Sequence, residues 1–131
     1  MPASLNAKGT NPSFTVNDLP LSLRFYTEGL GFEIADKNET DGKLTFVSLK
    51  AGDARLGIIQ DDFAKGRNRV KGVGVRLWLN TQQDIATLAK RVKAAGFALE
   101  VEPAPLPWGP MAFAVSDPDG YKITVANVPA N

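Results

Sequence analysis

Histidine and cysteine are both missing from these 131 residues, so carboxylates, lysines, tyrosines and hydroxyls set the limits of the chemistry. Without imidazole there is no serine–histidine triad, no histidine general base and no histidine metal ligand. Without thiolates there is no cysteine nucleophile and no thiolate metal site. The residues whose types and spacing suggest ligand handling are aromatic and cationic. Trp78 follows Arg76 by two positions, and Trp108 sits in Pro107-Trp108-Gly109, inside a loop over 103–110 that holds four prolines. Proline stiffens such a loop and holds the indole in place. Aromatic walls with a few polar anchors are the usual make-up of a small-molecule pocket.

Strands and helices must position these side chains. Alternation of polar and apolar residues predicts half-buried strands at 13–16 and 73–79, the second with Val73, Val75, Leu77 and Leu79 on one face. Further strands are expected at 32–35, 44–49, 55–60, 98–102, 111–116 and 121–126. Ala51-Gly52-Asp53 turns one hairpin and Asp117-Pro118-Asp119-Gly120 the last one, where proline presets φ and glycine supplies a positive value. One helix is expected over 19–30, with Asp18 as its N-cap and Pro20 in its first turn. A second over 85–95 has Thr81 as its cap and Gly96 as its stop. Two helices for about eight strands make an α+β chain in which each half lays one helix on its strands.

If the apolar parity of each strand covers the helices, the opposite parity lines a concave face. That face carries Asn11, Ser13 and Thr15 from the first strand, then Arg55, Gly57 and Ile59. It continues with Gly74, Arg76 and Trp78, and ends with Lys122, Thr124 and Ala126. Glycine within a strand commonly marks close approach of another group, so Gly57 and Gly74 suggest space on this side. The candidate ligand-binding residues are therefore Trp78, Trp108, Arg76, Arg55, Gly57, Gly74, Asn11, Ser13, Thr124 and Lys122. Three readings stay open: a pocket for a small planar molecule, an enzyme using Tyr121, Lys122 or a cleft carboxylate as acid or base, and a surface for a dimer or partner. Arg76 and Trp78 could equally face water on an outer sheet surface, and Trp108 could be a loop anchor. Tyr121 falls on the helix side of its strand by parity.

The chain also repeats its plan. Val16-Asn17-Asp18 leads into a helix closed by Gly31-Phe32, Leu79-Asn80-Thr81 leads into one closed by Gly96-Phe97, and the closing glycines stand 65 positions apart. Two copies point to a pseudo-symmetric single domain, since a solenoid needs at least three stacked units. The modules run over about 11–62 and 72–127, with a loose arm at 1–10. The charged linker at 61–72 is either a solvated crossover or a lid whose Lys65, Arg67 and Arg69 meet an anion. A hydrophobic content of 44% supports one core. Fifteen basic and fourteen acidic side chains leave a net charge of +1, which gives no field to gather nucleic acid. No stretch reaches the roughly 18 apolar residues of a membrane span and the first residues hold no apolar signal core, so a cytoplasmic protein with no nucleic-acid or membrane partner is expected.

With these features in place, two segments resemble a known family. TVNDLPLSLRFYTEGLGFEI is similar to the first half-motif of the vicinal oxygen chelate superfamily, which contains glyoxalase I, extradiol dioxygenases, and bleomycin and fosfomycin resistance proteins. PWGPMAFAVSDPDGYKITV is similar to its C-terminal motif, and the likeness spans about 11–127. It implies two pseudo-symmetric βαβββ modules forming an open, cleft-bearing, barrel-like sheet, often in a homodimer that completes the clefts. Metal-dependent members carry His or Glu at four concave positions, which fall here at Asn11, near Gly57, near Gly74 and at Thr124. Two glycines, an amide and a hydroxyl cannot rebuild such a site. The resemblance therefore points to the metal-free, bleomycin-resistance-like branch, with no cofactor and with a small aromatic or planar compound, such as an antibiotic, as the partner.

Overall fold

The computed structural model describes residues 3–129, so the first two residues of the expected N-terminal arm lie outside the described residues. The first module comprises β1 (Ser13–Val16), α1 (Leu19–Arg24) running into a π-helical turn at Phe25–Gly29, β2 (Glu33–Thr40), β3 (Lys43–Ala51) and β4 (Ala54–Gln60). The second comprises β5 (Arg76–Thr81), α2 (Ile85–Ala94), β6 (Val101–Pro105), β7 (Met111–Ser116) and β8 (Lys122–Asn127). Each module forms a four-stranded open sheet of the same order, β1-β4-β3-β2 and β5-β8-β7-β6, with the first strand parallel to the last and the others antiparallel. The fold is the expected α+β pair of βαβββ units, built as two open sheets.

The ladders fix how one module maps onto the other. Asp61 N donates to Val16 O, and Val128 N donates to Thr81 O, each bond running from the residue just past the last strand to the end of the first. Val16 thus corresponds to Thr81. Counting back along each strand, Thr15 corresponds to Asn80, Phe14 to Leu79 and Ser13 to Trp78. Ser13 pairs with Gly57 and Trp78 with Thr124, so Gly57 and Thr124 correspond as well. Asn11, two before Ser13, then corresponds to Arg76, two before Trp78.

Both modules turn their helix-bearing faces inward onto one core. Phe14, Val16, Leu19, Phe25 and Tyr26 meet Val47, Leu56 and Ile58 from the first sheet and Ile85, Val92, Phe113, Val115 and Ile123 from the second module. Ile85 and Val92 alone contribute roughly 1.5–3 kcal/mol each as buried aliphatics. Asp18 caps α1 by accepting from Leu21 N at 3.2 Å, with Pro20 in the first turn. Gly31 and Gly96 take φ of 89° and 93°, which lets the chain leave each helix.

Several elements differ from the sequence expectation. The cap of α2 is Asp84, whose carboxylate accepts from Thr87 N at 3.1 Å, because β5 runs on through Thr81. β5 begins at Arg76 rather than Val73, since Gly72 and Gly74 take φ of 77° and 74° and break the extended path. β2 extends to Thr40 because Asp41-Gly42, with φ of 53° and 76°, forms a two-residue hairpin turn. β6 lies at Val101–Pro105, and its prolines are tolerated on a sheet edge.

One seam between the modules is sealed tightly. The Tyr121 ring stacks on Phe14 with centroids 4.1 Å apart, and its hydroxyl donates to Thr15 O at 2.8 Å. Tyr26 OH donates to the Asp117 carboxylate at 2.8 Å, and that carboxylate also accepts from the backbone N–H of Asp119 and Tyr121. Burial pushes the Asp117 carboxyl above its ordinary range, against the pull of these three donors, and burial likewise raises the Tyr26 and Tyr121 phenols. The linker is clasped to the same region. Lys71 Nζ lies 2.8 Å from Asp61 and 2.7 Å from Asn17 Oδ1, while Arg69 reaches Asp61 at 3.3 Å. The hydrogen bond from Lys71, with that from Phe63 N, holds the Asp61 carboxyl below its ordinary range.

Candidate functional site

Because the modules share one core on their helix sides, the opposite face of each sheet points outward. The expected site residues divide accordingly. Asn11, Ser13, Arg55 and Gly57 belong to the first sheet or its approach, and Arg76, Trp78, Trp108, Lys122 and Thr124 to the second. Among the described residues no hydrogen bond, ion pair or ring contact joins the two groups.

On the second sheet, Trp78 pairs with Thr124, Thr124 with Ala114, and Ala114 with Val101, in one row across the strands. The neighbouring row runs from Asn80 through Ala126 and Ala112 to Ala104. Four adjacent positions of this face are thus Thr124, Ala114, Ala126 and Ala112, all buried outside or beside the helix-side core. Small residues there leave room for large neighbours. The indoles of Trp78 and Trp108 approach with centroids 6.2 Å apart and planes tilted by 39°. They remain 45% and 67% exposed, so a flat molecule can reach them. Arg76 stands on the same face, and its Nη1 donates to Thr124 Oγ1 at 2.9 Å. No carboxylate pairs with Arg76 among the described residues. Lys122 does pair, with Glu100 at 3.2 Å.

The first sheet offers less. Gly57 leaves no vacant space, because a Cβ there would lie 3.0 Å from Ser13 Oγ and 3.1 Å from the Phe46 ring. Its small size accommodates the protein's own Phe46, a residue the strand parity did not single out. Asn11 precedes β1 and is exposed. Arg55 folds back on its own turn, donating to Gly52 O at 2.8 Å and Ala54 O at 3.0 Å. Gly74 is a turn residue outside β5, and a Cβ placed on it would meet nothing within 4 Å. Tyr121 is sealed in the seam, with its hydroxyl committed to Thr15 O.

Two sheets of this strand order, paired through a pseudo-twofold with helices inside, define a duplicated βαβββ protein. The chain belongs to the Glyoxalase/Bleomycin resistance protein/Dioxygenase superfamily, whose sequence profile matches residues 11–125. It is 34% identical over 118 residues to a probable lactoylglutathione lyase of Vibrio cholerae, covering 82% of this chain and 81% of that protein. It is 30% identical over 122 residues to a probable lactoylglutathione lyase of Vibrio parahaemolyticus, covering 90% and 88%. Its fold is similar to the crystal structure of a glyoxalase-related enzyme from Fulvimarina pelagi, with a TM-score of 0.73 at 22% identity over 94% of this chain and 90% of the other.

The metal of the family's metal-dependent members does not fit here. The module correspondence moves the central-strand ligand position from the neighbourhood of Gly74 to Arg76, the counterpart of Asn11. The four positions then hold Asn11, Gly57, Arg76 and Thr124. A guanidinium is always protonated and offers no lone pair to a cation. Here it also donates to Thr124 Oγ1, the hydroxyl at the glutamate position. Among the described residues no three acidic side chains gather elsewhere to replace the set.

Proposed function

We propose that the chain binds a small planar molecule on the outward face of its second sheet without a metal ion, stacking it on Trp78 and Trp108 and anchoring a carboxylate or other electron-rich group on Arg76. The observation that carries the reading is the Arg76–Thr124 contact at the place of the family's metal ligands. A fixed positive charge stands where a cation would otherwise polarise oxygen, so the site keeps a preference for electron-rich oxygen and loses the Lewis acid. Hydrogen bonds between charged partners are the stronger kind, and a planar guanidinium suits a carboxylate. Binding and sequestration follow from these groups more readily than turnover.

The functional unit in this reading is a homodimer. Ile59 and Ser13 on one sheet and Trp78 and Val101 on the other are exposed on the outward faces. A second copy would close the cleft by setting one sheet against the other.

Lactoylglutathione lyase activity is the second reading, favoured by the names of the Vibrio relatives. The two separate cleanly. Tryptophan fluorescence titrated with planar aromatic carboxylates should saturate in protein stripped with EDTA, and Arg76→Met should weaken binding at least about tenfold. Lactoylglutathione lyase turnover that appears on adding Zn²⁺ or Ni²⁺ would replace the proposal with the second reading.

A further inference from the structure

The pseudo-twofold relates two seams between the modules, and they are filled differently. In the sealed seam, Tyr121 stacks on Phe14 and hands its hydroxyl hydrogen to Thr15 O. Counting back from Thr124 and Gly57, the counterpart of Tyr121 is Ala54. The counterparts of Phe14 and Thr15 are Leu79 and Asn80, and that of Tyr26 is Val92, since Phe32 N donates to Tyr26 O as Phe97 N donates to Val92 O. The second seam therefore has an alanine where the first has a phenol. Arg91 borders the same seam and donates to Glu28 O at 3.0 Å and Thr27 O at 3.2 Å. The result is a cavity of about 510 Å³ bounded by Phe32, Ala54, Leu79, Asn80, Leu88 and Phe113, among others. Phe14 is buried at 4% exposure, whereas its counterpart Leu79 is only partly covered.

The chain's own sealed seam shows what such a space accommodates. Thr15 O points off the free edge of the first sheet, because β1 is an edge strand and its alternate carbonyls, such as Val16 O, face β4. The same alternation in β5 turns Thr81 O toward β8 and Asn80 O toward the free edge, beside the cavity. A ring resting on Leu79 in the place vacated at Ala54 would find Asn80 O where Tyr121 finds Thr15 O. The geometry points to a second ligand site at this seam, specific for a phenol: an aromatic ring with a free hydroxyl donating to the Asn80 carbonyl. The apolar wall of Phe32, Leu79, Leu88 and Phe113 suits an aromatic ring, while Asp53, Gln83 and Arg91 make the rest of the lining polar, and a hydroxyl that meets a waiting acceptor adds selectivity over the bare hydrocarbon. This site lies at the β5 edge and shares Trp78 with the Arg76 surface, but its hydrogen-bond acceptor, Asn80 O, is separate from Arg76.

p-Cresol, the side chain of tyrosine, is the direct probe. Its binding is expected on the order of 1 mM, as suits so few atoms. In ¹H–¹⁵N spectra of the full chain it should shift the backbone amides of Ala54, Asn80, Thr81 and Leu88. 4-Methylanisole and toluene, which cannot donate a hydrogen bond, should bind about fivefold more weakly. Ala54→Tyr should fill the seam and abolish the shifts. Should that variant not fold, the comparison of the three probes on the wild-type protein decides alone. Shifts confined to residues around Arg76 and Trp108, no shift at concentrations well above the expected constant, or equal binding of p-cresol and toluene would each overturn the proposal. The readout does not involve aromatic carboxylates, so failure here leaves the proposed function standing, and the converse holds.

Discussion

Replacing Tyr26 by phenylalanine tests the sealed seam by removing one oxygen. The ring stays to fill its place against Phe25 and Phe32, so no cavity opens, and the loss comes from the 2.8 Å hydrogen bond to Asp117. A buried bond between neutral groups is worth about 1 kcal/mol, and one to an ionised acceptor about 1.5–3 kcal/mol. The magnitude must therefore depend on pH. Burial raises the Asp117 carboxyl in the folded state, so its contribution to stability is whole below the unfolded carboxylate range and falls as pH rises through the raised folded value. Tyr26 moderates that fall by favouring the anion. Urea unfolding of wild type and Tyr26→Phe should then give a loss of about 2 kcal/mol at pH 8 and about 1 kcal/mol or less at pH 3.5. A loss under about 0.5 kcal/mol at pH 8, or equal losses at both values, would refute the argument.

Three further outcomes follow from other contacts. Trp108→Ala, at a position 67% exposed, should change stability by no more than about 0.5 kcal/mol in urea unfolding while weakening the aromatic ligand about tenfold in a fluorescence titration. Gly72→Ala combines a φ of 77° with a Cβ that overlaps the Gly120 carbonyl, so it should lose more than about 2 kcal/mol in the same assay, because both backbones are fixed. Asp61 has a lowered folded value through Lys71, so the stability it supplies is present above the unfolded carboxylate range and is lost as pH falls through the folded value. The stability gap between wild type and Lys71→Met should therefore narrow as pH drops below about 4.

The fold is readable where its signals are local. Asp18, Pro20, Gly31 and Gly96 mark the helix ends, and the apolar run of Met111–Ser116 with the Asp-Pro-Asp-Gly turn behind it bounds that strand as the structure has it. The long β2 is also legible in principle, from Asp41-Gly42, a two-residue hairpin signal masked by the polar run that precedes it. The start of β5 is not. Val73 to Leu79 alternates without interruption, and only the tertiary packing of Gly72 against Gly120 turns the chain there. Parity places Arg76, Trp78 and Thr124 on one face, as the ladders have it. It cannot tell that Gly57 makes room for Phe46, since that depends on a neighbouring strand's register, nor that Arg55 satisfies its own turn. Parity also carries no information on whether two sheets face each other within a chain. The shared helix-side core decides that, and it sets the two halves of the expected site apart.

Metal dependence is the sharpest division between the ligand binding proposed at Arg76 and the chemistry of the family's metal-dependent members. The decisive measurement takes EDTA-treated protein, finds a planar aromatic carboxylate that saturates its tryptophan fluorescence, and repeats the titration with Zn²⁺ and then Ni²⁺ present, measuring metal bound per chain alongside. With Arg76 at the central ligand position, no stoichiometric metal should bind and the affinity should be the same in all three titrations. One metal per chain, with ligand binding that requires it, would contradict the account.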